Sequence, residues 1–249
     1  MDPPRFMVDA QAGSLLFNGP IHHPGGQITL GHQFSTGDIT IAGGISASVL
    51  AKFGTGTTTL SSLANLLFSL AIGEGDFELG GPNLISDPVS LKIAGGSTFS
   101  TAGFSERVSA LMIDSAPTYV PSSPTTGTID FGDGASVLQF NHADGWAAGT
   151  TLRLENWSGL AGGEGMDQIF VGSSSSGLSS DLLSRVFFQD PDGWAPGRYS
   201  AGILPTGELV PVPEPREVGL AVGLVLLGFG VLRSHQRRAS LHSCSRARG

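Results

Sequence analysis

The sequence predicts an all-β fold of many short strands, stacked as a solenoid, with a β-sandwich as the alternative. Three observations point there. The chain of 249 residues is 40% apolar but only 14% charged, so it can bury enough surface to oppose chain entropy. It holds 37 glycines among abundant Ser and Thr, a composition that favours tight turns over long helices. Apolar pulses of three to seven residues recur along the chain, nearly all closed by Gly, Asp, Asn or Pro.

Taken in order, the pulses are Gln27–Leu30, Ile39–Ala42, Leu66–Ile72, Phe77–Leu79, Leu91–Ala94, Ala110–Ile113, Thr128–Phe131, Val137–Phe140, Leu152–Leu154, Gln168–Val171 and Tyr199–Leu204. In Leu66–Ile72 larger and smaller apolar residues alternate with the strand period of two. A helical reading competes there, because Leu60, Leu63, Leu67 and Leu70 fall at spacings of three and four. The closing glycines Gly73, Gly75, Gly80 and Gly81 favour the strand. Ala42-Gly43-Gly44, Leu79-Gly80-Gly81 and Ala94-Gly95-Gly96 repeat one corner pattern, and Ile39–Gly44 matches Leu91–Gly96 most closely. The spacing is irregular, as in a degenerate repeat of stacked coils. One short helix is predicted at Ser180–Val186, capped by Ser179 or Ser180, with Leu182, Leu183 and Val186 facing inward. Pro121-Ser122-Ser123-Pro124 reads as a loop, and Pro205 to Pro215, with four prolines, as a stiff linker.

Charge divides the chain. Residues 1–215 carry 20 acidic and 7 basic side chains, net −13, whereas residues 216–249 carry 1 acidic and 6 basic, net +5. So acidic a body offers no phosphate-binding surface, which argues against a nucleic-acid partner. The single cysteine, Cys244, rules out an intrachain disulfide and has no structured neighbourhood to lower its pKa. Met1-Asp2-Pro3-Pro4-Arg5 lacks the basic and apolar regions of a secretory leader, and the expectation is that the native start lies upstream.

Chemical candidates are few. Gly162-Gly163-Glu164-Gly165-Met166-Asp167-Gln168-Ile169-Phe170 matches one copy of the nonapeptide calcium repeat. Because such ions sit between stacked copies, a single copy reads as a structural turn, leaving Asp167 a weak calcium candidate and no metal expected. Glu74, Asp76 and Glu78 read as a solvated acidic edge. His22 and His23 would point to opposite faces of a strand, a poor pair for a metal, and with His32 they read as loop residues. Asn156-Trp157-Ser158 reads as a strand end with Trp157 in the core. No nucleophile elbow, phosphate loop or His-Glu-x-x-His is present, and Lys52 and Lys92 are the only lysines. Polysaccharide lyases and hydrolases need clustered carboxylates with cations, so the chain is expected to be no enzyme and to need no cofactor.

The C-terminal end has three parts in order: Val212-Pro213-Glu214-Pro215, an uncharged apolar run at Val218–Leu232, and Arg233, Arg237 and Arg238. The run is shorter than the roughly 20 residues that usually span a bilayer, and its glycines are tolerated in lipid. The cations after it would hold the C-terminus on the cytoplasmic side. This arrangement resembles the PEP-CTERM sorting tail of bacterial exported proteins. The resemblance implies transient anchoring in the inner membrane, recognition of Val212, Pro213, Glu214 and Pro215 by an exosortase, removal of the tail, and delivery to the cell surface or extracellular matrix.

From about Ile39 to Val210 the body is similar to autotransporter-associated β-strand repeats. The likeness is carried by Leu91–Phe104, Ile129–Ser136, Asn156–Gly159, Asp167–Gly172 and Gly207–Pro211. It implies a right-handed parallel β-helix and a structural or adhesive surface role, with no catalytic residues. The expected organisation is a β body at 1–204, a Pro-rich linker with the sorting motif at 205–217, a hydrophobic membrane helix at 218–232 and a basic cytoplasmic tail at 233–249. The functional alternative is a carbohydrate-binding or carbohydrate-acting β-helix with an extracellular polysaccharide as partner.

Overall fold

The computed structural model describes residues 5–117 and 125–213. Its strands in chain order are β1 (Arg5–Val8), β2 (Ser14–Phe17), β3 (Ile21–Leu30), β4 (Asp38–Ile41), β5 (Ile45–Lys52) and β6 (Thr57–Leu60). There follow β7 (Ala64–Ile72), β8 (Asp76–Leu79), β9 (Ser90–Ala94), β10 (Thr98–Ser100), β11 (Glu106–Asp114) and β12 (Thr126–Asp130). After β13 (Val137–Ala143), β14 (Thr151–Glu155) and β15 (Gln168–Val171) come the one described helix α1 (Ser180–Leu183), then β16 (Val186–Gln189), β17 (Arg198–Ile203) and β18 (Leu209–Val212).

Odd-numbered strands β1 to β15 form one sheet of eight, and β2 to β16 with β17 and β18 form a second of ten. Each strand up to β16 pairs in parallel with the strand two places away in sequence, so the chain alternates between sheets and climbs one coil per pair. The result is a β-solenoid of about seven turns. A β-sandwich of antiparallel strands is thereby overturned as the alternative, because the parallel register requires a crossover through the other sheet.

Side chains alternate along each strand, and one set from each sheet meets between them. In the ten-stranded sheet the inward row runs in register through Ile39, Thr58, Phe77, Phe99, Ile129, Leu154 and Phe188. Phe77 and Phe99 stack with ring centroids 6.3 Å apart. In the eight-stranded sheet Leu30, Lys52, Ile72, Ile93 and Ile113 share one row. Trp157, fully buried as expected, packs edge-on against Phe188 at 5.0 Å.

The Gly-rich corners stack directly on one another. Gly54 and Gly75 have φ of +81° and +67°, and a Cβ on Gly75 would lie 2.4 Å from the carbonyl oxygen of Gly54. Only glycine meets both demands, the left-handed backbone and the close approach of the coil beneath. The Ile39–Gly44 and Leu91–Gly96 match is one of corner chemistry, not of equivalent coils, since β4 and β9 belong to different sheets.

All eleven predicted pulses overlap strands, three of them running one residue past the strand end, and Leu66–Ile72 is part of β7. The helix is shorter than predicted: Ser179 caps it, its Oγ accepting from the Leu182 amide, and Val186 already belongs to β16. The predicted linker at 205–217 is corrected in its first half. Leu209–Val212 forms β18, antiparallel to β17, so the folded body extends past 204 to Val212. Pro211 is accommodated because β18 is the edge of its sheet, where a missing N–H breaks no ladder. The loop predicted at Pro121–Pro124 lies outside the described residues, as do Glu214, Pro215, the apolar run 218–232, Arg233, Arg237, Arg238 and Cys244. Among the described residues no helix is long and apolar enough to cross a membrane.

Candidate functional site

The predicted sorting motif begins at Val212, where the first compact unit ends. Val212 is the last residue of β18, partly exposed, paired with Ser200, and Pro213 follows it on the surface.

The nonapeptide match is a turn whose carboxylate is fully engaged. Asp167 is completely buried. Its Oδ1 accepts from the Ser136 amide at 3.1 Å and the Ser136 hydroxyl at 3.0 Å, and its Oδ2 from the Ser158 amide at 2.9 Å and hydroxyl at 2.6 Å. Four donors of the chain occupy the directions a calcium ion would need. Glu208, from the β17–β18 turn, closes the same loop by accepting from the Glu164 amide at 3.0 Å and 3.1 Å. Among the described residues no group of three or more His, Cys, Asp or Glu is placed to hold a metal ion.

Two further buried ionisable groups serve the coils in the same manner, and neither was singled out by the sequence. Glu106 accepts from the amides of Leu84 at 2.7 Å, Ile85 at 3.0 Å and Arg107 at 2.9 Å, joining two coils. Burial pushes its pKa up, opposed by those amides. Lys52 sends its stem along an inward row and its ammonium to a Gly-rich corner, where it donates to the carbonyls of Gly54 and Gly56 and to that of Glu74 at 2.9 Å. Burial lowers its pKa to about 8, against the opposing effect of the Asp76, Glu74 and Asp38 carboxylates. The sequence signal for this group was present: a lysine at an inward strand position just before a Gly-x-Gly corner.

The acidic trio separates. Asp76 and Glu78 project outward from β8 with Phe77 inward, whereas Glu74 lies in the corner and accepts from the Gly54 amide at 3.2 Å. His22 and His23 lie within β3 rather than in a loop, opposite Ser46 and Ala47. They alternate along the strand, as expected of neighbours. His32 is a loop residue whose Nδ1 accepts from the Phe34 amide at 3.3 Å. Asn156 ends β14 with φ +54° and donates to Asp130 Oδ1 at 2.7 Å.

The outside also carries regular, mainly polar ladders. On the ten-stranded sheet Thr40, Thr59, Glu78, Ser100, Asp130 and Glu155 follow one another in register. On the eight-stranded sheet Arg107, Gln139 and Phe170 do the same across β11, β13 and β15. In comparisons with known proteins, no family model, no curated protein and no solved structure matches the chain.

Proposed function

We propose that this chain is an exported, non-catalytic structural or adhesive protein, a β-solenoid displayed at the cell surface or in the extracellular matrix after removal of its C-terminal tail by an exosortase. The observation that carries this reading is the coincidence of two boundaries. The last described strand ends at Val212, and the proposed sorting motif starts at Val212. Cleavage after the motif would therefore release a body that keeps every described strand. The charge pattern supports it as well, since the apolar run followed by arginines would hold the C-terminus inside while an acidic body is translocated. The buried carboxylates Glu106, Asp167 and Glu208 are each engaged by main-chain amides, which suits a scaffold better than acid–base chemistry.

Expression behind a secretory leader in a host carrying an exosortase tests the reading by mass spectrometry of the surface fraction. Wild type should lose the residues after the motif, and Glu214→Ala should stay full-length and membrane-bound. Equal processing of the two, or a mature surface protein that keeps Arg233–Arg238, would overturn it.

A further inference from the structure

We infer that the outer face of β11, β13 and β15 is a binding site for an uncharged glycan segment, which rests on the proposed reading of the body as a surface adhesive and names its ligand class. The site is a groove of about 440 Å³ lined by Arg107, Gln139, Asn141, Phe170, Ser173 and Thr206. That is within the size range of small-ligand sites.

Register makes the groove a row. Arg107 stands beside Gln139, and Gln139 beside Phe170, on three consecutive coils. Parallel strands lie about 4.8 Å apart, close to the length of one pyranose ring along a glycan chain, so the row offers one side chain per sugar across the strands. Asn141 lies two residues beyond Gln139 on the same face of β13, and both amides are exposed.

The chemistry of the row matches sugars. Guanidinium and amide groups are planar forks that can donate to, or accept from, neighbouring hydroxyls on one ring. The half-buried Phe170 supplies a rigid aromatic surface for the C–H face of a pyranose. With Arg5, Arg107 differs from the other cations of this acidic body. Lys92 pairs with Asp114, Arg153 with Glu155 and Arg185 with Asp181, Lys52 is caged by carbonyls, and Arg198 lies over the Phe187 ring. Arg107 forms no ion pair among the described residues, and its guanidinium reaches only Asn141 Oδ1 at 3.4 Å. A ligand can take up its donors without displacing a carboxylate. A single cation on a body of net −13 is a poor match for a polyanion, which selects an uncharged chain over a uronate.

Titration calorimetry of the full chain with cellotetraose, chitotetraose and mannotetraose, and with tetragalacturonate as the charged counterpart, tests the inference. At least one neutral tetramer should bind, with affinity little changed by salt. Phe170→Ala should weaken that binding tenfold or more, and Gln139→Ala and Asn141→Ala several-fold. The two amide variants are exposed, so circular dichroism should show them folded, and Phe170→Tyr should retain binding. Absence of binding to every neutral tetramer, binding untouched by Gln139→Ala and Asn141→Ala, or salt-sensitive binding of tetragalacturonate alone would overturn it. Tail processing is read separately, so a failure here leaves the display reading standing.

Discussion

The two halves of the solenoid keep time differently. From β4 to β8 the register advances 19 residues per coil, Ile39 to Thr58 to Phe77. From β10 to β16 the steps are 30, 25 and 34 residues, Phe99 to Ile129 to Leu154 to Phe188. The regular half is closed by main chain at its stacked glycines, together with Lys52 and the Glu74 and Asp38 carboxylates that accept from the Gly54 and Thr57 amides. The irregular half carries excursions between strands, and several of those described are tied back by polar side chains. The Trp146 indole donates to the Leu111 carbonyl at 3.1 Å, Thr150 to Ala147 at 2.7 Å, and Asp167 and Glu208 hold the loop between β14 and β15. A coil of minimal length leaves no loop to place, whereas a longer one needs side chains to fix it. The groove and the folded end at Val212 both lie in the half that departs from the short pitch.

The sharpest way to break this comparison is Asp167→Ala. It removes the acceptor of four hydrogen bonds and leaves the fully buried Ser136 amide and the half-buried Ser158 amide without partners, a loss of about 2–4 kcal/mol. Denaturant melts of the variant should show that loss, and millimolar Ca²⁺ should not move the wild-type melting temperature, because any ligand of the native state must raise it. A rise of several degrees that disappears in Asp167→Ala would return the loop to the role of an ion site.

The regular half is sharpened by pH. Lys52 has its pKa lowered from 10.5 to about 8 by burial. Between those values the unfolded chain holds the proton more tightly than the folded one, so stability should rise as pH increases through the window and be lost again as pH falls through about 8. At about 1.4 kcal/mol per unit the gain is bounded by about 3 kcal/mol. Lys52→Met should flatten this segment of the stability curve. Glu106 works at the acid end with the opposite sense. Its raised pKa adds stability below 4.5 that is lost as pH rises through the folded value.

The stacked architecture was legible because its signal is local: short apolar pulses ending in corner residues place strands whatever they pair with. Strands such as β6 (Thr57–Leu60) and β10 (Thr98–Ser100) are not marked by apolar pulses, since Thr and Ser dominate them and, of their inward residues Thr58, Leu60 and Phe99, only the last two are apolar. β18 was hidden by Pro211, whose ring looks like a linker until the strand is known to be an edge. The clamps made by Glu106, Asp167 and Glu208 link residues 21 to 44 positions apart, and no spacing rule exposes such pairs. Arg107, Gln139 and Phe170 are ordinary residues in separate strands, and only the register makes them a row.

The mildest test concerns the outer face of the regular half. In β7 the pairing steps from Ala47↔Leu66 to Val49↔Ser69, so one extra residue bulges out. The bulge breaks the alternation and leaves Leu67 58% and Phe68 66% exposed, beside Leu63 at 56%. It also accounts for the competing helical pattern, because leucines on both faces of a bulged strand mimic a helical stripe. These side chains lie mostly outside the solenoid, so Leu67→Ser with Phe68→Ser should change stability by no more than about 1 kcal/mol. Their contiguity should instead govern how molecules associate, as exposed apolar patches do. Light scattering should show less self-association in the double variant, with glycan binding at Phe170 unchanged. A drop in melting temperature of several degrees would mean that the patch is packed within the fold, and the contrast between an apolar outer face in one half and a polar groove in the other would fail.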